Sequence, residues 1–183
     1  MLGDSGVGKT SIVTRWTKDT FKQGTSATIG AAFVETTVEK NGQHHVIQIW
    51  DTAGEEKYKS MAPIYARSAV AALIVFDITH ESSFLNVEEW ISCLDLLNDV
   101  KVIIIGNKCD MEAQREVSYD KALALASKLG RQYVETSAFA GTGVKEAFQM
   151  IIDQILENRT SLDVKTQRVG LATPPPEPSK DCC

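Results

Sequence analysis

Residues 71–76 and 101–106 are short, nearly unbroken apolar runs rich in valine and isoleucine. A strand with one wet face alternates polar and apolar side chains. An apolar run without alternation is how a strand buried on both faces of a parallel sheet reads. Parallel neighbours cannot be joined by a tight turn and need a crossover, usually a helix. The intervening sequence supplies candidates, because Phe84, Val87, Ile91 and Leu94 repeat at helical spacing. So do Ala122, Leu125, Ala126 and Leu129, and again Phe148, Ile151, Ile152 and Ile155. These stripes are core and carry no chemistry. Residues 133–136 read as a last short strand. Residues 32–39 and 45–50 read as two strands joined by Asn41-Gly42, a strong hairpin signal. The expectation is an α/β fold: a mostly parallel sheet flanked by helices on both faces, with right-handed crossovers. Ligands then bind beyond the carboxyl ends of the strands.

The 183 residues suit one domain plus a tail. The domain is expected over 1–158 and a flexible tail over 159–183. From about Arg159 the apolar period stops, and residues 160–180 contain Pro174, Pro175, Pro176 and Pro178, which predicts extended, mobile chain. A hydrophobic fraction of 43% supports a real core, and a net charge of −5 argues against a duplex nucleic-acid partner. The four cysteines, Cys93, Cys109, Cys182 and Cys183, show no metal-ligand spacing, and the three histidines form no cluster with them. A disulfide scaffold is unneeded at this size, which points to a reducing compartment. No long apolar span and no signal peptide are expected.

Chemistry enters at Gly3-Asp4-Ser5-Gly6-Val7-Gly8-Lys9-Thr10, which matches the phosphate-loop pattern in full. The glycines let successive N–H groups turn inward on anionic oxygens, and the helix starting near Lys9 adds its positive end. Lys9 places a point charge on terminal phosphates, and the Thr10 hydroxyl can ligate magnesium. The strand that should precede the loop is reduced to Met1 and Leu2. Either the natural chain is longer or the fold leans on bound nucleotide for stability, and the first is the favoured expectation.

Two further motifs close strands. In Trp50-Asp51-Thr52-Ala53-Gly54, a carboxylate can hold magnesium through water and a glycine N–H can reach a third phosphate. In Asn107-Lys108-Cys109-Asp110, an amide acceptor and a carboxylate can read guanine, whose edge offers the carboxylate a pair of N–H donors that adenine lacks. Ser137-Ala138 follows the last strand and offers a backbone N–H to the guanine oxygen. Singly these would be ordinary strand ends; their order and spacing on one sheet carry the reading.

From Gly3 to about Asn158 the chain resembles the small GTPases of the Ras superfamily, and within it the Rab family. The resemblance implies a P-loop GTPase fold, here with its first strand truncated, that binds GTP or GDP with Mg2+ and hydrolyses GTP. By that match Ser5, Gly6, Val7, Gly8, Lys9, Thr10 and Ser11 hold the phosphates. Thr28 completes the magnesium shell with Thr10 and Asp51. Phe21 packs against guanine beside Asn107, Lys108, Asp110, Ser137 and Ala138. Lys9, Gly54 and Glu55 serve catalysis. Residues 28–33 and 57–65 resemble the two switch segments, with Ile29, Phe33, Trp50 and Tyr65 as an effector surface. Residues 29–33 and 62–65 are most similar to the early-endosomal branch. The implied partners are effectors, exchange factors, GTPase-activating proteins, GDP-dissociation inhibitor and the prenylation machinery, acting on a monomer.

The chain departs from the family in three places. Glu55 stands where the family has a water-orienting glutamine. An ionised carboxylate only accepts hydrogen bonds and adds negative charge beside the phosphate, so slow intrinsic hydrolysis is expected. Rab-type activating proteins supply their own glutamine and arginine, which leaves a route to stimulated turnover. Phe139 replaces the usual lysine after Ser137-Ala138 and is expected to lower base affinity somewhat, with specificity kept by Asp110. The third departure is the short first strand, which the family's fold places centrally, so that both its neighbours are expected to lose backbone partners.

The ending Asp181-Cys182-Cys183 resembles the paired-cysteine terminus of Rab proteins, where both thiols receive geranylgeranyl groups. Two lipids anchor stably where one binds only marginally. The implied location is the cytoplasmic face of intracellular, endosomal membranes, with a cytosolic pool. The rival readings are a P-loop nucleotide kinase, which would not need Asn107–Asp110, and a nucleotide-binding scaffold with little or no hydrolysis.

Overall fold

The structure, a computed structural model, describes residues 1–24, 28–54, 69–94 and 100–167, with side chains as far as 157. Strands β1 (Ala31–Lys40) and β2 (Gln43–Thr52) form an antiparallel hairpin in which Lys40 faces Gln43. Asn41 and Gly42 make the two-residue loop with φ of 54° and 72°, the left-handed pair whose twist matches that of paired strands.

Strands β3 (Ala71–Asp77), β4 (Lys101–Asn107) and β5 (Gln132–Thr136) lie side by side in that order, all parallel. Every residue of β3 and β4 after the first is buried, as their unbroken apolar pattern requires. Successive side chains point to opposite faces, and each face has its own core. Ile74, Phe76 and Ile104 cluster with Trp90, Val117 and Ala126. These lie under α2 (Glu81–Leu85), α3 (Val87–Ser92) and α4 (Tyr119–Lys128). Leu73, Val75, Ile103 and Ile105 cluster with Ile12, Val144, Phe148 and Ile151, under α1 (Lys9–Lys18) and α5 (Val144–Gln167).

Two expectations change. Phe84, Val87, Ile91 and Leu94 do form one stripe in the first core. The backbone carrying them, however, is two short helices meeting at Asn86, whose side chain is bonded to Asp4 (below). Helix α5 continues to Gln167, so the change to extended chain expected at residue 160 does not occur there. The proline-rich segment lies outside the described residues.

Ahead of the phosphate loop, Leu2 forms an isolated parallel bridge with Ile74 of β3. Its N–H donates to the Leu73 carbonyl at 2.9 Å, and its carbonyl accepts from the Val75 N–H at 2.8 Å. Met1 ties to the other side: its nitrogen donates to the Trp50 carbonyl at 2.9 Å, and its carbonyl accepts from Thr52 Oγ1 at 2.7 Å. Beyond this link a cleft of about 510 Å³ separates β2 from β3, walled by Val46, Gln48 and Leu73 and floored by Phe148 and Ile152 of α5. The hairpin is thus a sheet of its own, apart from β3–β4–β5, and the three motifs do not share one sheet; the Gly3–Gly8 loop nonetheless meets Gly54 just after β2 and Asn107 at the end of β4.

Candidate functional site

The loop entering α1 is shaped by what surrounds it. Gly8 sits at the helix N-cap with φ 97°, and a Cβ there would stand 2.4 Å from Asn107 Nδ2. No side chain caps the helix, which leaves its first N–H groups for a ligand. Lys9 is buried, and its Nζ donates to the Gly3 and Asp4 carbonyls at 2.7 and 2.8 Å. Burial lowers its pKa to about 8, against the opposing pull of Asp51 and Asp4. A polyanion arriving at the loop would raise it again.

Next to it Thr10 Oγ1 and Thr28 Oγ1 lie 2.8 Å apart. Asp51 is buried, and burial raises its carboxyl pKa against a hydrogen bond from Thr10 and the nearby Met1 nitrogen and Lys9. Its Oδ1 has no hydrogen-bond partner among the described residues. An orphaned buried carboxylate oxygen beside two hydroxyls is a donor set that fits a hard, oxygen-seeking cation such as Mg2+. Gly54 presses on the phosphate loop, since a Cβ there would meet the Asp4 carbonyl carbon at 2.3 Å and the Ser5 nitrogen at 2.4 Å.

At the base end the structure reassigns Asn107. It was expected to accept from the base, but its Oδ1 already accepts from Thr136 Oγ1 at 3.0 Å and the Ala138 N–H at 3.3 Å. Its Nδ2 donates to the Val7 carbonyl at 2.8 Å. One amide group thereby staples the phosphate loop to the loop after β5, and only its remaining N–H can face a base. The Ala138 N–H, expected to reach the guanine oxygen, is shared with Asn107. Asp110 Oδ1 accepts from Ser137 Oγ, which itself accepts from the Ala140 N–H at 2.8 Å. This aims the carboxylate and leaves its second oxygen for a ligand. Lys108, in a left-handed conformation, pairs with buried Asp77. Burial alone would raise the Asp77 carboxyl, but hydrogen bonds from Lys108 and Thr79 outweigh it and hold the pKa below the usual range.

These parts share one cleft of about 490 Å³. Ser5, Gly6, Gly8, Lys9, Thr10, Ser11, Thr28 and Gly54 line one end, and Phe21, Asn107, Lys108, Asp110 and Ala138 the other. Val7, Asp51 and Ser137 support it from behind, all buried. Glu55, Tyr65 and the remainder of the second switch segment lie outside the described residues, as do Cys182 and Cys183. Of the expected effector surface, Phe33 and Trp50 face each other across the hairpin with ring centroids 5.3 Å apart, and Ile29 stands open.

Sequence reasoning missed two clamps. Arg15 of α1 donates through Nε to the Ala138 carbonyl at 2.9 Å and through Nη2 to the Phe139 carbonyl at 2.8 Å. Asp4, an unremarkable member of the loop pattern, accepts from Asn86 Nδ2 and Trp90 Nε1, both at 2.7 Å. Nothing local in the sequence signals either, because the partners are 123 and 86 residues apart.

Comparison with known proteins agrees with this geometry. Residues 1–157 match the Ras family. The chain is 42% identical to Ras-related protein RABA5c of Arabidopsis thaliana over 160 residues, 86% of this chain and 75% of that protein. It is 40% identical to Ras-related protein Rab-13 of Canis lupus familiaris, over 85% of this chain and 78% of that one. To Ras-related protein Rab-11A of Dictyostelium discoideum it is 36% identical across 100% of this chain and 92% of its relative. With a phosphate loop, a buried carboxylate and a base-reading loop set around one cleft, and with these relatives, the chain belongs to the Ras family, is a small GTPase of the Rab group, and binds and hydrolyses GTP.

Proposed function

We propose that this protein is a membrane-traffic switch whose two states are set by a guanine nucleotide held between Lys9 and Asp110. The observation that carries the reading is that these two side chains line one cleft of about 490 Å³, so a single small molecule can touch both. Ser5–Ser11 would cradle the phosphates, and Phe21, Lys108, Asp110 and Ala138 the base. Thr10, Thr28 and Asp51 would hold magnesium, which when bound neutralises charge on the outer phosphates. Hydrolysis lets water attack the terminal phosphorus; the bond to the bridging oxygen breaks, leaving GDP and inorganic phosphate. Thr28 and the Gly54 N–H then lose the group that held them, and the segments they carry relax.

Glu55 in the glutamine position makes unstimulated hydrolysis slow, because its carboxylate can accept from the attacking water but cannot donate to the phosphate. Effectors read the surface around Ile29, Phe33 and Trp50, an exposed aromatic pair of the kind that anchors interfaces. The paired terminal cysteines carry geranylgeranyl groups that place the monomer on the cytoplasmic face of endosomal membranes. The endocytic assignment rests on the resemblance of residues 29–33 to the early-endosomal branch.

Nucleotide extracted from purified protein tests the reading. Guanosine diphosphate is the expected content. Adenine nucleotide would favour a kinase. Persistent triphosphate, or nothing at all, would favour the scaffold.

A further inference from the structure

The cleft contains an aromatic side chain that the family pattern does not supply. Phe139 stands where a lysine is usual, lines the base end of the cleft beside Lys108 and Asp110, and is 62% exposed. A base bound at this end of the cleft would take apolar area of that ring out of water. The Phe139 backbone is not free to tuck the ring away. Arg15 Nη2 holds the Phe139 carbonyl at 2.8 Å, and the next two N–H groups are bonded back to Ser137, at 2.8 Å from Ala140 and 2.7 Å from Gly141. On this fixed loop the ring meets Phe21 with centroids 5.4 Å apart and planes at 88°.

That geometry restricts what the pair can do. A planar base slotted between two rings needs about 7 Å, two contacts of about 3.5 Å. At 5.4 Å and a right angle the rings form a corner instead of a slot. We propose that Phe139 and Phe21 form an aromatic corner in which the purine lies flat against one ring with its edge on the other, and that this corner slows nucleotide release. The inference rests on the reading that a nucleotide base occupies this end of the cleft. It reverses the effect expected from losing the lysine, because the exposed ring gains cover on binding. Stacking tolerates any base, so the corner adds retention without choosing between guanine and adenine; that choice stays with Asp110. It also lies at the base end, so it acts equally on the diphosphate and the triphosphate.

The test is release of a ribose-labelled fluorescent GDP from the full chain with magnesium. Phe139→Ala is expected to speed release on the order of tenfold, with Phe139→Leu intermediate because it restores apolar area without the ring. Phe139 is exposed, so neither variant opens a cavity. Phe21→Ala combined with Phe139→Ala should give less than the product of the single effects, as contacting residues do. The guanine-to-adenine affinity ratio should not move in Phe139→Ala. An unmodified chain that retains guanine nucleotide while Phe139→Ala releases it at the same rate overturns the corner alone. An unmodified chain that retains no guanine nucleotide overturns the proposed function and the corner with it.

Discussion

Asn107 Nδ2 donates to the Val7 carbonyl at 2.8 Å, so the end of β4 holds the phosphate loop from across the sheet. The same side chain takes the Thr136 hydroxyl and the Ala138 N–H. Asn107→Ala would orphan several buried polar groups at once, each worth about 1–3 kcal/mol. Denaturant unfolding should show a loss of roughly 3 kcal/mol or more, far beyond the effect of deleting one base contact. A loss within experimental error would mean the amide is not a staple.

Lys9 makes nucleotide binding pH-dependent. Burial lowers its pKa to about 8, and bound phosphates raise it again. A group whose pKa rises on binding contributes fully below its unbound value and loses that contribution as pH climbs through the bound one. GDP affinity should therefore be level below about pH 8 and fall above it, by at most about tenfold per pH unit. Lys9→Met should weaken binding at neutral pH and flatten the profile. An unchanged slope in that variant would assign the proton elsewhere.

Asp51 predicts opposite signs in two assays. Its carboxyl is buried with one unpartnered oxygen and a raised pKa. A carboxyl raised on folding costs stability wherever the unfolded chain would be ionised, and that cost disappears as pH falls below the ordinary carboxylate range. Asp51→Asn should raise the unfolding midpoint of the nucleotide-free, magnesium-free protein near neutral pH. It should also abolish the extra stabilisation that magnesium gives to the nucleotide-bound form. A variant that loses stability in both conditions would make Asp51 a structural residue only.

Much of this was legible from pattern. The unbroken runs gave β3 and β4, Asn41-Gly42 gave the hairpin turn, and the three motif spacings located the cleft, because each depends on short-range periodicity or on residues that must end a strand. What escaped depends on distant partners. The role of Asn107 inverts because Thr136 and Ala138 arrive from another strand end. The break at Asn86, whose side chain bonds distant Asp4, is something no helical stripe encodes. The helical span to Gln167 was missed because its apolar period stops before its backbone does.

Arg15 is the clearest of these long-range residues. Its two donors fix the Ala138 and Phe139 carbonyls, and so the N–H and ring that the loop presents. Arg15→Ala should speed release of both GDP and GTP by roughly tenfold, the loss expected for one charge-assisted hydrogen bond. Arg15→Lys, lacking the fork, should be intermediate at best. Release at the unmodified rate in Arg15→Ala would mean that the loop holds its shape without the clamp.

The central claim is that one molecule bridges Lys9 and Asp110, and titration calorimetry of the full chain with magnesium addresses it. GDP should bind one to one. ADP should bind weaker by about 10⁴-fold, the discrimination that a carboxylate left unpaired can impose, and Asp110→Ala should remove most of that preference. GDP and ADP binding alike to the unmodified chain, or a preference that survives Asp110→Ala, would contradict the account.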